Sequence, residues 1–294
     1  MRRKARHANY KIFTAFEGYL PGWKGIPVLL IWLLVGALAG SAVSLALTSV
    51  FGASLGVEYV TLVVYPIQFL PAMIYAASRS ASVTTFPGAR VLPLDRGCFK
   101  LVGGPACAVM AVVSVLCASL VLDPIVKVLP EMPERLKQAL ESMTGGDMWV
   151  DMLCVAVFAP FFEEWLCRGT VLRGLLSRGM KPAAAIGISA LFFAVIHLNP
   201  WQAVPAFLIG CLMGFVYYRT GSLKLTMLMH CANNALAVVV SHIDAFKDAE
   251  SWMDVMPGKW FWLVFAACAL AVALFVRTMM RNGAPSWEAE VAED

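Results

Sequence analysis

Charge is scarce in this chain. Of 294 residues only 14% are Asp, Glu, Lys or Arg, while 60% are hydrophobic. A soluble globular chain carries about a quarter charged residues, so the deficit excludes an ordinary water-soluble domain and points to lipid as the solvent. Other absences narrow the reading. The eight cysteines (Cys98, Cys107, Cys117, Cys154, Cys167, Cys211, Cys231 and Cys268) form no C-x-x-C, and seven lie in or near apolar runs. That spacing fits neither a zinc ribbon nor a disulfide framework, and they read as small packing residues. There is no H-E-x-x-H, no N-x-S/T acceptor and no organelle signal. There is also no internal repeat of the kind that marks many transporters.

What is present is a series of long apolar runs, each near the roughly 20 residues that span a bilayer core. Eight candidate spans cover about 26–50, 57–77, 101–122, 148–172, 183–199, 202–218, 223–242 and 260–278. The first is too long for the h-region of a cleaved signal peptide, and more spans follow it. The expected fold is therefore all-α: a polytopic membrane helical bundle of about eight transmembrane helices. It forms one domain over 26–280, after a basic segment (1–25) and before an acidic tail (281–294) expected to be disordered. Residues 131–143 read as a short interfacial helix started by Pro133, with Leu136, Leu140 and Met143 on one face.

The loops set an expected orientation. Arg2, Arg3, Lys4, Arg6 and Lys11 precede the first span and read as an anchor on anionic headgroups, not as a nucleic-acid patch. Loops on that side also hold Arg79, Arg90, Arg96, Lys100, Arg173, Arg178, Lys181, Arg219, Lys224, Arg277 and Arg281. The opposite loops are richer in Asp and Glu. This bias places both termini in the cytoplasm. Trp23, Trp149, Trp201 and Trp260 mark span ends.

Charges inside the spans are the informative anomaly. The fourth span reads VDMLCVAVFAPFFEEWLCRGTVLRGLL and carries Glu163, Glu164 and Arg168. A charge near the bilayer centre costs a few kcal/mol even on the lenient insertion scale, so these groups must pair or face a wet cavity. Glu164 and Arg168 are four apart and share a helix face. Glu163 points about 100° away, which leaves it to face a cavity. A buried ion pair that only fixes packing would explain Glu164 with Arg168 but not Glu163. Pro160 removes a backbone donor just upstream. The fifth span ends FFAVIHLNP, with Phe193 and His197 four apart; the seventh reads TMLMHCANNAL, with His230 and Asn234 four apart. Alone, either pair reads as packing or interhelical glue.

Together the three sites resemble the CAAX-protease and bacteriocin-processing family of intramembrane endopeptidases. That family shows EExxxR, then FxxxH, then HxxxN or HxxxD on successive membrane helices. The matching residues are Glu163-Glu164-x-x-x-Arg168, Phe193-x-x-x-His197 and His230-x-x-x-Asn234, within a motif core of about 150–240. The resemblance implies an active site within the membrane and hydrolysis of a peptide bond in a membrane-associated protein or peptide, with Glu163 as the base. His197 would orient the water, and His230 and Asn234 would donate to the oxyanion. Glu164 would be structural, held by Arg168. No cofactor is required on this reading. The alternative is zinc held by His197, His230 and Glu163, since a catalytic zinc site needs about three protein ligands plus water. Two other functional classes stand beside it: a proton-coupled transporter that uses the buried groups as a relay, and a non-catalytic scaffold or bacteriocin-immunity protein. The expected location is a bacterial inner membrane.

Depth poses one difficulty. Counted from the cytoplasmic side, His197 lies about 20 Å in and His230 only about 10 Å. A short or tilted fifth span, bounded by Pro182 and Pro200, is the expected resolution.

Overall fold

In hydrocarbon a backbone N–H or C=O must find its partner inside its own segment, and each apolar run of the sequence accordingly becomes a helix. The computed structural model of the protein describes residues 11–52, 56–138, 146–246 and 251–291. The main helices are α1 (Gly25–Phe51), α2 (Val57–Thr84), α3 (Gly104–Lys127), α4 (residues 148–177), α5 (Pro182–Val195), α6 (Pro200–Thr220), α7 (Leu223–Ser241) and α8 (Gly258–Arg281). Six of them (α1, α2, α3, α6, α7 and α8) are long and apolar enough to cross a membrane. The architecture is an all-α polytopic bundle.

The bundle is apolar outside and keeps its buried charged and polar groups within an apolar core. Ile31, Leu34, Leu38 and Leu45 on α1 are exposed, as are Leu263, Leu270 and Leu274 on α8. Glu164, Arg168, Arg173, Thr226 and His230 are buried. That inversion is what lipid demands, since a polar side chain is better satisfied against protein than against acyl chains. Without a hydrophobic drive between helices, close backbone approach does the packing. Gly36 and Gly40, four apart and buried on α1, sit against α2. A Cβ at Gly36 would overlap the Gln68 carbonyl, and one at Gly40 would stand 2.9 Å from Val64 Cγ1.

Two helices depart from a plain span. α5 has 14 residues, a rise of about 21 Å against a hydrocarbon core of about 30 Å. Pro182 starts it, and it turns back through Leu198 (φ 52) into Asn199, whose side chain caps α6 by accepting from Trp201 N. The short fifth span is as expected from its flanking prolines. α4 is long and irregular: α-helix at Met148–Leu153, Ala159–Glu164 and Arg173–Ser177, and π-helix at Cys154–Phe158 and Trp165–Leu172.

One end of the bundle gathers both terminal segments. Arg173, fully buried near the end of α4, donates to the carbonyls of Gly169, Phe16, Glu17, Tyr19 and Leu92. All five guanidinium N–H groups are thereby used. Beside this clamp, β1 (Arg90–Val91) pairs antiparallel with β2 (Glu290–Val291). The segment after Arg281 is therefore not disordered as far as Val291, contrary to the expectation from its composition. Trp287 supplies the reason: it stacks on Tyr218, packs on Tyr217 and donates to Tyr218 O, with the Arg96 guanidinium over its ring. At the other end, a helical turn over 134–138 starts at Pro133, whose carbonyl accepts from Leu136 N and Lys137 N. Leu140 and Met143 lie outside the described residues.

The Arg173 clamp yields a test. Arg173→Met leaves the carbonyls of Phe16, Tyr19 and Leu92 without that donor, and stability should fall by about 3 kcal/mol or more. Thermal unfolding in detergent, read with limited proteolysis of residues 13–24, should show a lower midpoint and earlier nicking. Arg173→Lys, with three donors in place of five, should fall between.

Candidate active site

The polar groups meet where α4, α5, α6 and α7 face one another, with α2 closing one side. Arg168 Nη1 donates to Glu164 Oε1 at 2.6 Å, and neither side chain has any exposed surface. The i,i+4 spacing that suggested this pair delivers it. Arg168 Nη2 also reaches Gly210 O on α6 at 3.1 Å, and its guanidinium lies 4.7 Å from the Phe193 ring centroid on α5. A buried charge needs such partners, and only Arg168 Nε and Glu164 Oε2 of this pair lack a hydrogen-bond partner among the described residues.

Phe193 is an aromatic platform as much as a spacer for His197. His197 meets it edge-on at 4.9 Å and His230 at 5.4 Å. The two histidines of the sequence motifs are thus brought to one ring, from helices whose linear depths do not match. His197 Nδ1 lies 2.7 Å from Phe193 O. A carbonyl only accepts, so Nδ1 carries the hydrogen and Nε2 of the neutral ring keeps its lone pair.

His230 sits between the two carboxylates, with Nδ1 3.1 Å from Glu164 Oε1 and Nε2 3.8 Å from Glu163 Oε2. The second distance is an ion-pair approach, too long for a hydrogen bond. Glu163 retains 9% exposure whereas Glu164 has none, so of the two carboxylates it is Glu163 that has an open edge. Its other oxygen, Oε1, accepts from Tyr65 Oη at 2.5 Å. Tyr65, on α2, was not singled out by sequence reasoning. It lies 98 residues from Glu163, and a single hydroxyl in an apolar helix carries no spacing signal. Phe69 stacks on Phe162 beside it, ring centroids 5.2 Å apart, and walls the carboxylate with aromatic surface.

Asn234 has a use the motif did not reveal: its Nδ2 donates to Val155 O at 2.9 Å. In the π turn before the carboxylates, Ala159 N bonds Cys154 O, an i→i+5 step. The next step would need an N–H at residue 160 to serve Val155 O, and Pro160 has none. Asn234 supplies the missing donor from α7. The neighbouring Asn233 donates to Asn234 Oδ1 at 3.3 Å.

The zinc alternative names His197, His230 and Glu163. His230 faces both carboxylates, and His197 uses Nδ1 on a carbonyl, a contact that leaves Nε2 available as a ligand atom. No three His, Cys, Asp or Glu side chains converge in a metal-holding group among the described residues.

The Pro160–Asn234 pairing predicts a double-mutant cycle. Asn234→Leu should destabilise the protein by about 1–3 kcal/mol, the penalty of an unpaired buried carbonyl. Pro160→Ala restores an N–H at that step and should recover part of the loss in the Asn234→Leu background. Equal penalties with and without Pro160, measured by thermal unfolding, would refute the assignment.

The comparisons agree with the motif reading. Residues 145–236 match a family model described as type II CAAX prenyl endopeptidase Rce1-like. Searches of curated proteins and of solved structures gave no match. The matched segment contains Glu163, Glu164, Arg168, His197, His230 and Asn234, and excludes Tyr65. Over this segment, about a third of the chain, the protein is similar to the Rce1-like CAAX prenyl endopeptidases.

Proposed function

We propose that the chain is an intramembrane endopeptidase that hydrolyses a peptide bond near the C-terminus of a lipid-modified, membrane-associated protein or peptide, with Glu163 as general base and no metal. The observation that carries this reading is the asymmetry of the carboxylate pair. Glu164 is sealed against Arg168, while Glu163 has one oxygen held by Tyr65 and the other open beside His230.

Hydrolysis then runs as follows. Glu163 Oε2 takes a proton from a water oriented by His197 Nε2, and the water oxygen bonds to the scissile carbonyl carbon. Charge moves to the carbonyl oxygen, where His230 and the second Asn234 amide hydrogen donate. The C–N bond breaks as the proton on Glu163 passes to the leaving amine. Tyr65 fixes the rotamer of Glu163, so that Oε2 and not Oε1 meets the water. Arg168 balances the charge of Glu164, which lowers the cost of that carboxylate at this depth. The basic loops favour an inner-membrane orientation with both termini in the cytoplasm. The gathering of residues 16–19 and 290–291 at one end of the bundle supports an even number of crossings.

Purified protein in liposomes, offered a fluorogenic prenylated C-terminal peptide, tests the reading. Glu163→Gln should lose activity by at least about 10²–10³ while folding normally. Tyr65→Phe should lower kcat about tenfold with little change in KM. Full cleavage by folded Glu163→Gln would sink the base assignment, and one zinc per active chain in elemental analysis would sink the metal-free mechanism. Proton flux through the liposomes without cleavage would favour a transporter instead.

A further inference from the structure

The end of the bundle that gathers the termini carries a cavity that the catalytic reading leaves unused. It has a volume of about 760 Å³, and its lining includes Lys24, Arg79, Arg90 and Arg178. These cations come from separate parts of the chain: the entry to α1, the end of α2, β1, and the residue after α4. Among the described residues no carboxylate is on its wall; Glu288 lines an adjoining cavity that shares Arg90, Ser177 and Ala289.

Three other cations at this end are satisfied. Lys224 pairs with Asp95 at 3.0 Å, Arg219 is held by Met279 O, and Arg173 by its carbonyls. The cavity's cations differ. Arg79 and Arg90 make no ion pair or side-chain hydrogen bond among the described residues. Lys24 lies over the Trp23 ring, and Arg178 uses Nε and Nη2 on Leu20 O, leaving Nη1. Glu17 stands on the adjoining loop and is not among the residues lining the cavity. Four like charges around one concavity repel, and an anion seated among them would relieve that repulsion.

The remaining walls say which anion. Trp23 (65% exposed), Val83 (39%) and Val28 give an apolar side open to the surroundings of the bundle, while Tyr19, Tyr75 and Ser177 add hydroxyls. Trp beside Lys at a helix start is an interfacial arrangement. Arg presents a planar fork suited to phosphate oxygens. We propose that this cavity binds the phosphate of an anionic phospholipid, with guanidinium groups on the headgroup and Trp23, Val28 and Val83 against the acyl-glycerol portion. Its likeness to a free-phosphate site ends at that apolar wall.

Short-chain dihexanoyl phosphatidylglycerol, dihexanoyl phosphatidylcholine and inorganic phosphate, added to the detergent-purified full chain, test this by native mass spectrometry and thermal shift. Phosphatidylglycerol should bind and raise the midpoint, and phosphatidylcholine and inorganic phosphate should bind at least tenfold more weakly. Arg79→Gln with Arg90→Gln should weaken phosphatidylglycerol at least tenfold with an unchanged circular dichroism spectrum. Arg277→Gln with Arg281→Gln, at the same end on α8, should leave binding intact. Equal binding of the two lipids, or undiminished binding by the Arg79/Arg90 variant, would overturn the site. Inorganic phosphate matching phosphatidylglycerol would overturn the lipid assignment. Glu293→Gln with Asp294→Asn should leave the lipid affinity unchanged. A tenfold gain would show the acidic terminus to be the cavity's anion and would also overturn the proposal.

Discussion

The Glu164–Arg168 ion pair is the constraint around which the inner helices are arranged. Two charges with no exposed surface are tolerable in a membrane only when every approach to them is filled by a partner. Arg168 meets most of that demand with three helices: Glu164 on its own, the Gly210 carbonyl on α6 and the face of Phe193 on α5, while its Nε and Glu164 Oε2 have no hydrogen-bond partner among the described residues. Close passage of α6 at Gly210 follows, where an added Cβ would stand 3.2 Å from Phe193 Cδ1. Phe193 in turn carries the edges of His197 and His230. The spacing rules of the three motifs are thus the footprint of one enclosed guanidinium, with the reactive groups arranged around it.

Depth shows how a helix of unusual length serves a site. α4 runs for residues 148–177, about 40–45 Å by helical rise, against a core of about 30 Å. Its last turns extend into the layer where Arg173 binds the segment 16–19 and Leu92. That overhang brings Glu164 level with His230 although their distances from the ends of their own helices differ. The N-terminal segment therefore has a structural part in the site: it anchors the end of the helix that bears both carboxylates.

Much of this was legible in the sequence. Apolar runs fixed the helices because the bilayer leaves the backbone no alternative. The charges stood out because they are costly at depth, and i,i+4 spacing named their partners. Pro182 and Pro200 bracketed the short α5. What was not legible depended on distance or on context. Tyr65 reaches Glu163 across 98 residues, and no local pattern marks it. Arg173 read as one more cytoplasmic loop charge, because a guanidinium that binds five carbonyls looks in sequence like one that faces water. The tail read as disordered from its acidic composition, which a single Trp287 outweighs by packing on Tyr217 and Tyr218.

The π turns are the feature that joins these parts. Glu163 and Glu164 share one α-helical turn and stand about 100° apart, and the His230 ring spans that gap with one nitrogen towards each carboxylate. The α-helical turn Ala159–Glu164 that carries them lies between two π segments, each of which shifts the face that follows it. Such segments are rare and are maintained where other groups support them. The supports are identifiable. Asn234 on α7 fills the donor that Pro160 lacks, at Val155 O. Ser189 on α5 donates to Cys167 O in the second π segment. Polar residues on α5 and α7 therefore hold the register of α4 as well as facing its carboxylates. An asparagine one turn beyond the histidine thus supplies the donor that Pro160 lacks, and its amide has a second hydrogen for the oxyanion role proposed above.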